Sequence, residues 1–371
     1  MWAMWASLIG CLDVSAGESG DTGFGIPATI PPSEGGTVVT TDGVAWDEVS
    51  GPCIGYRTET LIFDSDGSAW AGCGADPGLH FARTPGAWES VAALATFHTY
   101  DAQLADNATL YLAGDGVLDN VVAWTGDPGE QADLEPDVLL RFDGTIDGIP
   151  LAGGIARTGA GKIVIDSQNG NAYVVSNNDG ASFEPAYLDS YQMLDLDVGN
   201  GEIFAAGSTI AQPPTVMFPQ GDDSYDPLEL PGGFVGELFG IAALGADRFI
   251  AVGADETAHS GILARCFSGC DQRGSWEVFS LSESNLVGSP DYAGRMMAVC
   301  FDSSGTNGIA VGEKFPQGLG GFAIYTRDGG HNWNEAGNPD FPLLSECWAF
   351  DDGRFAVAGG AGYLAIGSGL P

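Results

Sequence analysis

Paired aspartates, scattered histidines and one close cysteine pair are the side chains whose type and spacing could support chemistry in this 371-residue chain. Asp64-Ser65-Asp66-Gly67 and Asp195-Leu196-Asp197 bring hard oxygen ligands close together, as a calcium ion requires. The first run lacks the third aspartate and distal glutamate of an EF-hand, and a β-turn at Asp66-Gly67 accounts for it equally well. Asp195 and Asp197 share one face of a strand, where they could line a channel and hold an ion. Glycosidase chemistry needs two facing carboxylates, but among 50 Asp and Glu some pair always meets that distance. His80, His98, His259 and His331 stand apart without i, i+4 pairing, which excludes a metalloprotease-type helix. No Gly-x-Ser-x-Gly elbow or phosphate loop followed by Lys occurs. The expectation is no catalytic residue and no cofactor, with calcium as the one metal the aspartates could take.

Charge excludes more. Twelve Lys and Arg against the 50 acids give a formal net charge of -38. Phosphate backbones and anionic lipid surfaces are bound by clustered cations, and here Lys162 and Lys314 are the only lysines. Nucleic acid is thereby excluded as a partner, and any electrostatically assisted partner is basic. At 44% hydrophobic residues the chain still has ample material for a core.

The chain opens MWAMWASLIG and reaches Cys11. Leu8-Ile9-Gly10-Cys11 resembles a bacterial lipobox, in which the cysteine takes a diacylglyceryl group. The apolar stretch suits a signal-peptide core and is too short to span a bilayer. It lacks the usual Lys or Arg before that core, and a buried first strand is the competing reading. Residues 12–36 are acidic and rich in Gly and Pro without apolar periodicity, as in a flexible tether. The resemblance implies a lipid-anchored protein of the bacterial cell envelope, attached to the membrane by its lipid alone and monomeric.

Setting Cys11 aside leaves Cys53, Cys73, Cys266, Cys270, Cys300 and Cys347, an even number that in an exported protein points to disulfides. Zinc is the alternative, but Cys266-Phe-Ser-Gly-Cys270 has no second close pair or nearby His to complete four ligands. Cys266–Cys270 is the most local of the 15 connectivities six cysteines allow. Cys300–Cys347 and Cys53–Cys73 follow.

The elements that would position these residues repeat. A turn with Gly, Asp or Asn, a β-rich run and usually a Gly recur as GSAWAGCG (67–74), ATLYLAGDG (108–116), GKIVIDSQNG (161–170), GEIFAAGS (201–208), DRFIAVGA (247–254), NGIAVGE (307–313) and GRFAVAGG (353–360). The interval is about 48 residues, which suits one four-stranded sheet per repeat, as in a β-propeller. Before each copy lies a short run for an innermost strand: 61–66, 102–106, 153–158, 193–198, 240–245, 297–302 and 347–352. The predicted fold is all-β, a seven-bladed propeller with four-stranded blades over 37–371. The segment 37–49 has no inner strands of its own and should complete the C-terminal blade. Both Thr37–Thr41 and Tyr363–Ser368 look like third strands of that blade.

One turn resembles a known family. Thr326-Arg327-Asp328-Gly329-Gly330-His331-Asn332-Trp333 looks like an Asp-box, the Ser/Thr-x-Asp-x-Gly-x-x-Trp hairpin of sialidase-like propellers. Ser176, Asn178, Gly180 and Phe183 make a similar turn with Asn and Phe substituted, and Thr40, Asp42 and Trp46 make one a residue short. With the GGTVV segment before the third strand, the chain resembles the BNR/Asp-box propellers of the photosystem II assembly-factor-like group over roughly residues 37–367. In the fifth repeat Cys266–Cys270 falls at the equivalent turn, where a disulfide would replace the box. Asp-boxes are structural hairpins, so the resemblance implies fold and not activity. The arginine triad of sialidases is not matched: Gly25-Ile26-Pro27 stands where those enzymes carry Arg-Ile-Pro. Arg57, Arg83, Arg157, Arg248, Arg295 and Arg354 need not converge. Trp46, Trp88, Trp276 and Trp333 recur near the start of a fourth strand, as core packing between blades would require.

These readings favour an envelope-anchored propeller that binds or scaffolds a protein or glycan without catalysis. A glycan-processing hydrolase on the same fold is the rival, and a structural surface lipoprotein without a ligand is the third reading.

Overall fold

Each of the seven repeated runs forms the second strand of an antiparallel sheet, and the run before it forms the first. The computed structural model describes residues 37–39, 45–73, 78–105, 108–115, 120–125, 134–140, 152–167, 171–208, 213–281, 294–314, 320–336 and 341–368. Cys11, the tether 12–36, Thr40 and Asp42 lie outside the described residues. Seven sheets stand around a channel as a seven-bladed β-propeller: blade 1 (58–90), blade 2 (98–140), blade 3 (152–187), blade 4 (192–229), blade 5 (236–280), blade 6 (294–335) and blade 7.

Blade 7 closes the ring. Leu344–Ala349, Phe355–Gly359 and Tyr363–Ser368 are its first three strands, and Ala45–Ser50 pairs with Tyr363–Ser368 as the fourth. Thr37–Val39 adds a fifth, outside Ala45–Ser50. The third strand is therefore Tyr363–Ser368, and this blade exceeds the expected four. Trp46 fixes the junction: it is fully buried, packs edge-on against Phe341, and donates its indole N–H to Ala336 O at 3.0 Å.

Each innermost strand starts one to four residues before its predicted apolar run. They span Thr58–Phe63, His98–Leu104, Ala152–Arg157, Gln192–Gly199, Gly236–Ala243, Gly294–Phe301 and Leu344–Ala349. Every one carries a register shift near its start, a β-bulge that breaks the apolar alternation there. The glycine ending the repeated run explains the bulge in five blades. A Cβ on Gly114, Gly207, Gly253, Gly312 or Gly359 would collide with a carbonyl oxygen of the partnering strand.

Cores lie between neighbouring sheets, filled mainly by the second and third strands. Phe204 and Phe218 of blade 4 pack edge-to-face on Phe249 of blade 5, and Trp276 stacks on Phe249. Trp276 and Trp333 are buried as expected; Trp88 is only partly so, donating its N–H to Ser50 O.

Candidate functional site

The innermost strands enclose a channel of about 870 Å³. The bulges aim its lining. Glu59, Tyr100, Leu194, Phe239, Met297 and Ser345 are the bulged residues of six strands, and all line the channel. The residue just after the bulge is Asp101 in blade 2, Asp195 in blade 4 and Glu346 in blade 7, so three acids converge from equivalent positions.

Two of these acids grip the next blade. Asp101 Oδ2 accepts the N–H of Ile155 at 2.8 Å, and Gln103, two residues on, bonds both the N–H and the carbonyl of Arg157. Asp195 Oδ2 accepts Ile241 N–H and Asp197 Oδ2 accepts Ala243 N–H, each at 2.7 Å. Asp166, on the second strand of blade 3, accepts the N–H of Gly154. Asp101, Asp195 and Asp197 satisfy backbone donors of the following blade, and Asp166 one at its own blade's bulge.

Burial raises their pKa values despite those bonds. Asp101 is pushed up to about 7, with repulsion from Asp166 adding to desolvation. Desolvation takes Asp166 and Asp197 to about 6. Asp195 and Glu346 are raised well above the carboxylate range, by desolvation first and then by repulsion from Asp101 and other channel acids. Arg57 is the one cation in the described lining, and its guanidinium is held bidentately by Glu59.

At the mouth where the innermost strands begin, the segment 51–56 is fixed from both sides. Cys53 is bridged to Cys73, and Gly362 N–H bonds Tyr56 O at 3.1 Å. This rigid segment presents Ile54 at 71% exposure and Tyr56 at 43%; Val235, leading into the innermost strand of blade 5, is 36% exposed on the same face.

The opposite face carries the hairpins singled out in the sequence. Thr326 Oγ1 bonds Asp328 Oδ1 and accepts Gly330 N–H at 3.0 Å, while Asp328 Oδ1 accepts Asn332 N–H at 2.8 Å. Trp333 closes the turn by donating to Gly330 O. Ser176, Asn178, Gly180 and Ser182 repeat this network, with Phe183 packed against the adjoining core. In blade 5, Asp247 accepts the N–H groups of Gly269 and Cys270, next to the Cys266–Cys270 disulfide. The third disulfide, Cys300–Cys347, joins the innermost strands of blades 6 and 7 within the channel wall.

Other sequence candidates disperse. Arg157 pairs with Asp179, Arg354 with Asp352 and Arg295 with Glu256, while Arg248 bonds Leu244 O and Gly305 O. Arg83 lies over the Phe81 ring. Asp64–Gly67 is a turn closed by Gly67 N–H to Asp64 O at 2.9 Å. Among the described residues no three His, Cys, Asp or Glu come together as a metal site. Sequence reasoning found Asp195 and Asp197 in the channel but missed Asp101, Asp166, Glu59 and Glu346.

No protein-family model matches the chain, and no curated protein matches it. Solved structures do. YCF48 bound to D1 peptide shares 16% identity at a TM-score of 0.61, covering 86% of this chain and 96% of its own. YCF48 from Cyanidioschyzon merolae gives 14% and 0.62, over 86% of this chain and 98% of its own. A catalytically inactive virginiamycin B lyase from Staphylococcus aureus with quinupristin gives 10% and 0.63, over 88% and 99%. At these identities the likeness is one of fold.

Proposed function

We propose that this propeller binds a polypeptide on the face where its innermost strands begin, without catalysing a reaction. The observation carrying the proposal is the rigid display of Ile54 and Tyr56, held by the Cys53–Cys73 bridge beside an acidic channel mouth. Large apolar side chains fixed in an exposed position mark an interaction surface. A fold of this architecture holds a peptide in YCF48 bound to D1 peptide, which supports the reading by analogy. Four channel aspartates are engaged as backbone acceptors, which favours a supporting role for them over acid–base work.

The chain is further read as a bacterial envelope lipoprotein lipidated at Cys11, with its Asp328 and Asn178 hairpins as Asp-boxes. Mass spectrometry of protein from its own host tests the anchor: a diacylglyceryl-modified peptide beginning at Cys11 is expected, and an intact unmodified leader sinks it. Capture from envelope extracts at low and high salt, with partners identified by mass spectrometry, tests the binding. Weaker capture in high salt and on Ile54→Ser/Tyr56→Ser is expected. Turnover in a chromogenic glycoside panel, abolished by one carboxylate substitution in the channel, would replace binding by hydrolysis.

A further inference from the structure

Of the three acids that follow a bulge, Glu346 alone does no structural work that the geometry reveals. Asp101 and Asp195 accept N–H groups of the following blade. In blade 7 the contact with the following blade is made by Ser345, whose hydroxyl donates to Thr58 O. Glu346 is left lining the channel, and no described residue donates a hydrogen bond to it. The groups facing it are Glu59 and Arg57 from blade 1, Asp101 from blade 2 and Asp195 from blade 4. Arg57 is already held by Glu59 and is faced by Glu313 as well.

A half-buried carboxylate that lines a channel among other acids and has no donor is complementary to an arriving cation. A metal ion is disfavoured, since no described trio of ligands comes close enough to hold one. An ammonium or guanidinium on a flexible stem needs no such shell. Glu346 is the third residue of its strand, so it lies about 7 Å below the strand's start, within reach of an extended Lys or Arg side chain.

Building on the binding reading above, we propose that Glu346 receives a Lys or Arg side chain of the bound polypeptide, inserted through the channel mouth among Glu59, Asp101 and Asp195. Apolar residues flanking that cation then rest on Ile54 and Tyr56. Burial raises the Glu346 pKa and pairing with a cation lowers it again, so insertion favours release of a proton.

The test uses the full chain and an array of short peptides, each arginine peptide having an uncharged citrulline twin. Arginine peptides are expected to bind roughly tenfold or more tightly than their twins, and Glu346→Gln to erase that difference. Calorimetry near neutral pH in buffers of different ionisation enthalpy should register proton release for the native chain and less for Glu346→Gln. A thermal melt shows that the variant folds, and its melting temperature should equal or exceed the native one. Twins that bind equally, or a preference that survives Glu346→Gln, overturn the insertion and leave peptide binding standing. Equal occupancy by free arginine amide or spermidine overturns the polypeptide as occupant. An array without any bound arginine peptide overturns the insertion too, while capture from extracts separately decides the binding reading.

Discussion

A Cβ on Gly207 would run into the carbonyl oxygen of Gln192, which is why the recurring run ends in glycine. Gly207→Ala should cost about 1–3 kcal/mol in chemical unfolding, because the bulge must shift to admit the methyl. Gly221→Ala, with open space around it, should stay within about 0.5 kcal/mol. Aligning the repeats on these glycines also exposes the channel acids: Asp101, Asp195 and Glu346 stand 13, 12 and 13 residues before Gly114, Gly207 and Gly359. That signal is present in the sequence, but composition hides it among so many other acids. Their raised pKa values set a pH dependence with a definite sign. A carboxyl whose folded pKa exceeds its unfolded value of about 4 binds more protons when folded, so its contribution is lost as pH rises through the folded value. Stability should therefore rise as pH falls from 8 toward 5, across the values of about 7 for Asp101 and about 6 for Asp166 and Asp197. Below that window Asp302 and Asp328, whose pKa values are lowered by hydrogen bonds, reverse the trend. Thermal melts across pH check this, and Glu346→Gln should flatten the upper limb.

At the scale of elements, the closing blade and the disulfides differ in what their loss should do. Deleting residues 1–50 uncovers the edge of Tyr363–Ser368 and removes Trp46, whereas deleting 1–36 removes neither. The shorter truncation should melt with the full chain and the longer one well below it, by calorimetry. Cys300–Cys347 closes 47 residues and Cys266–Cys270 only 4, so by loop entropy their removal should cost about 4 and about 2 kcal/mol. Paired Cys→Ser variants in denaturant titrations rank them. Cys266–Cys270 was legible from its short separation, whereas Cys53–Cys73 and Cys300–Cys347 followed only weakly; the latter spans 47 residues, close to one repeat interval. The first halves of the innermost strands were not. In Thr58-Glu59-Thr60 the bulge interrupts alternation, and polar residues facing a watery channel look like loop.

For the whole molecule, a net charge of -38 means self-repulsion that salt relieves. Melting temperature should rise with added sodium chloride, most steeply below about 0.1 M, where the Debye length exceeds about 10 Å. The same salt weakens capture of a basic partner, so the two effects run in opposite directions and can be separated in one titration. The number of blades was legible because period and strand pattern agree at every repeat. The binding face was not, since Ile54, Tyr56 and Val235 come from separate segments that only the ring assembles.

The pairing of Ala45–Ser50 with Tyr363–Ser368 also fixes a timetable. A ribosome makes the first of these strands long before the second exists, so blades 1 to 6 can assemble while Ala45–Ser50 waits unpaired. Only the synthesis of Tyr363–Ser368 releases it from that wait. A chaperone that shields an early strand, or translocation that delays folding until the chain is complete, would therefore spare this protein its most aggregation-prone interval.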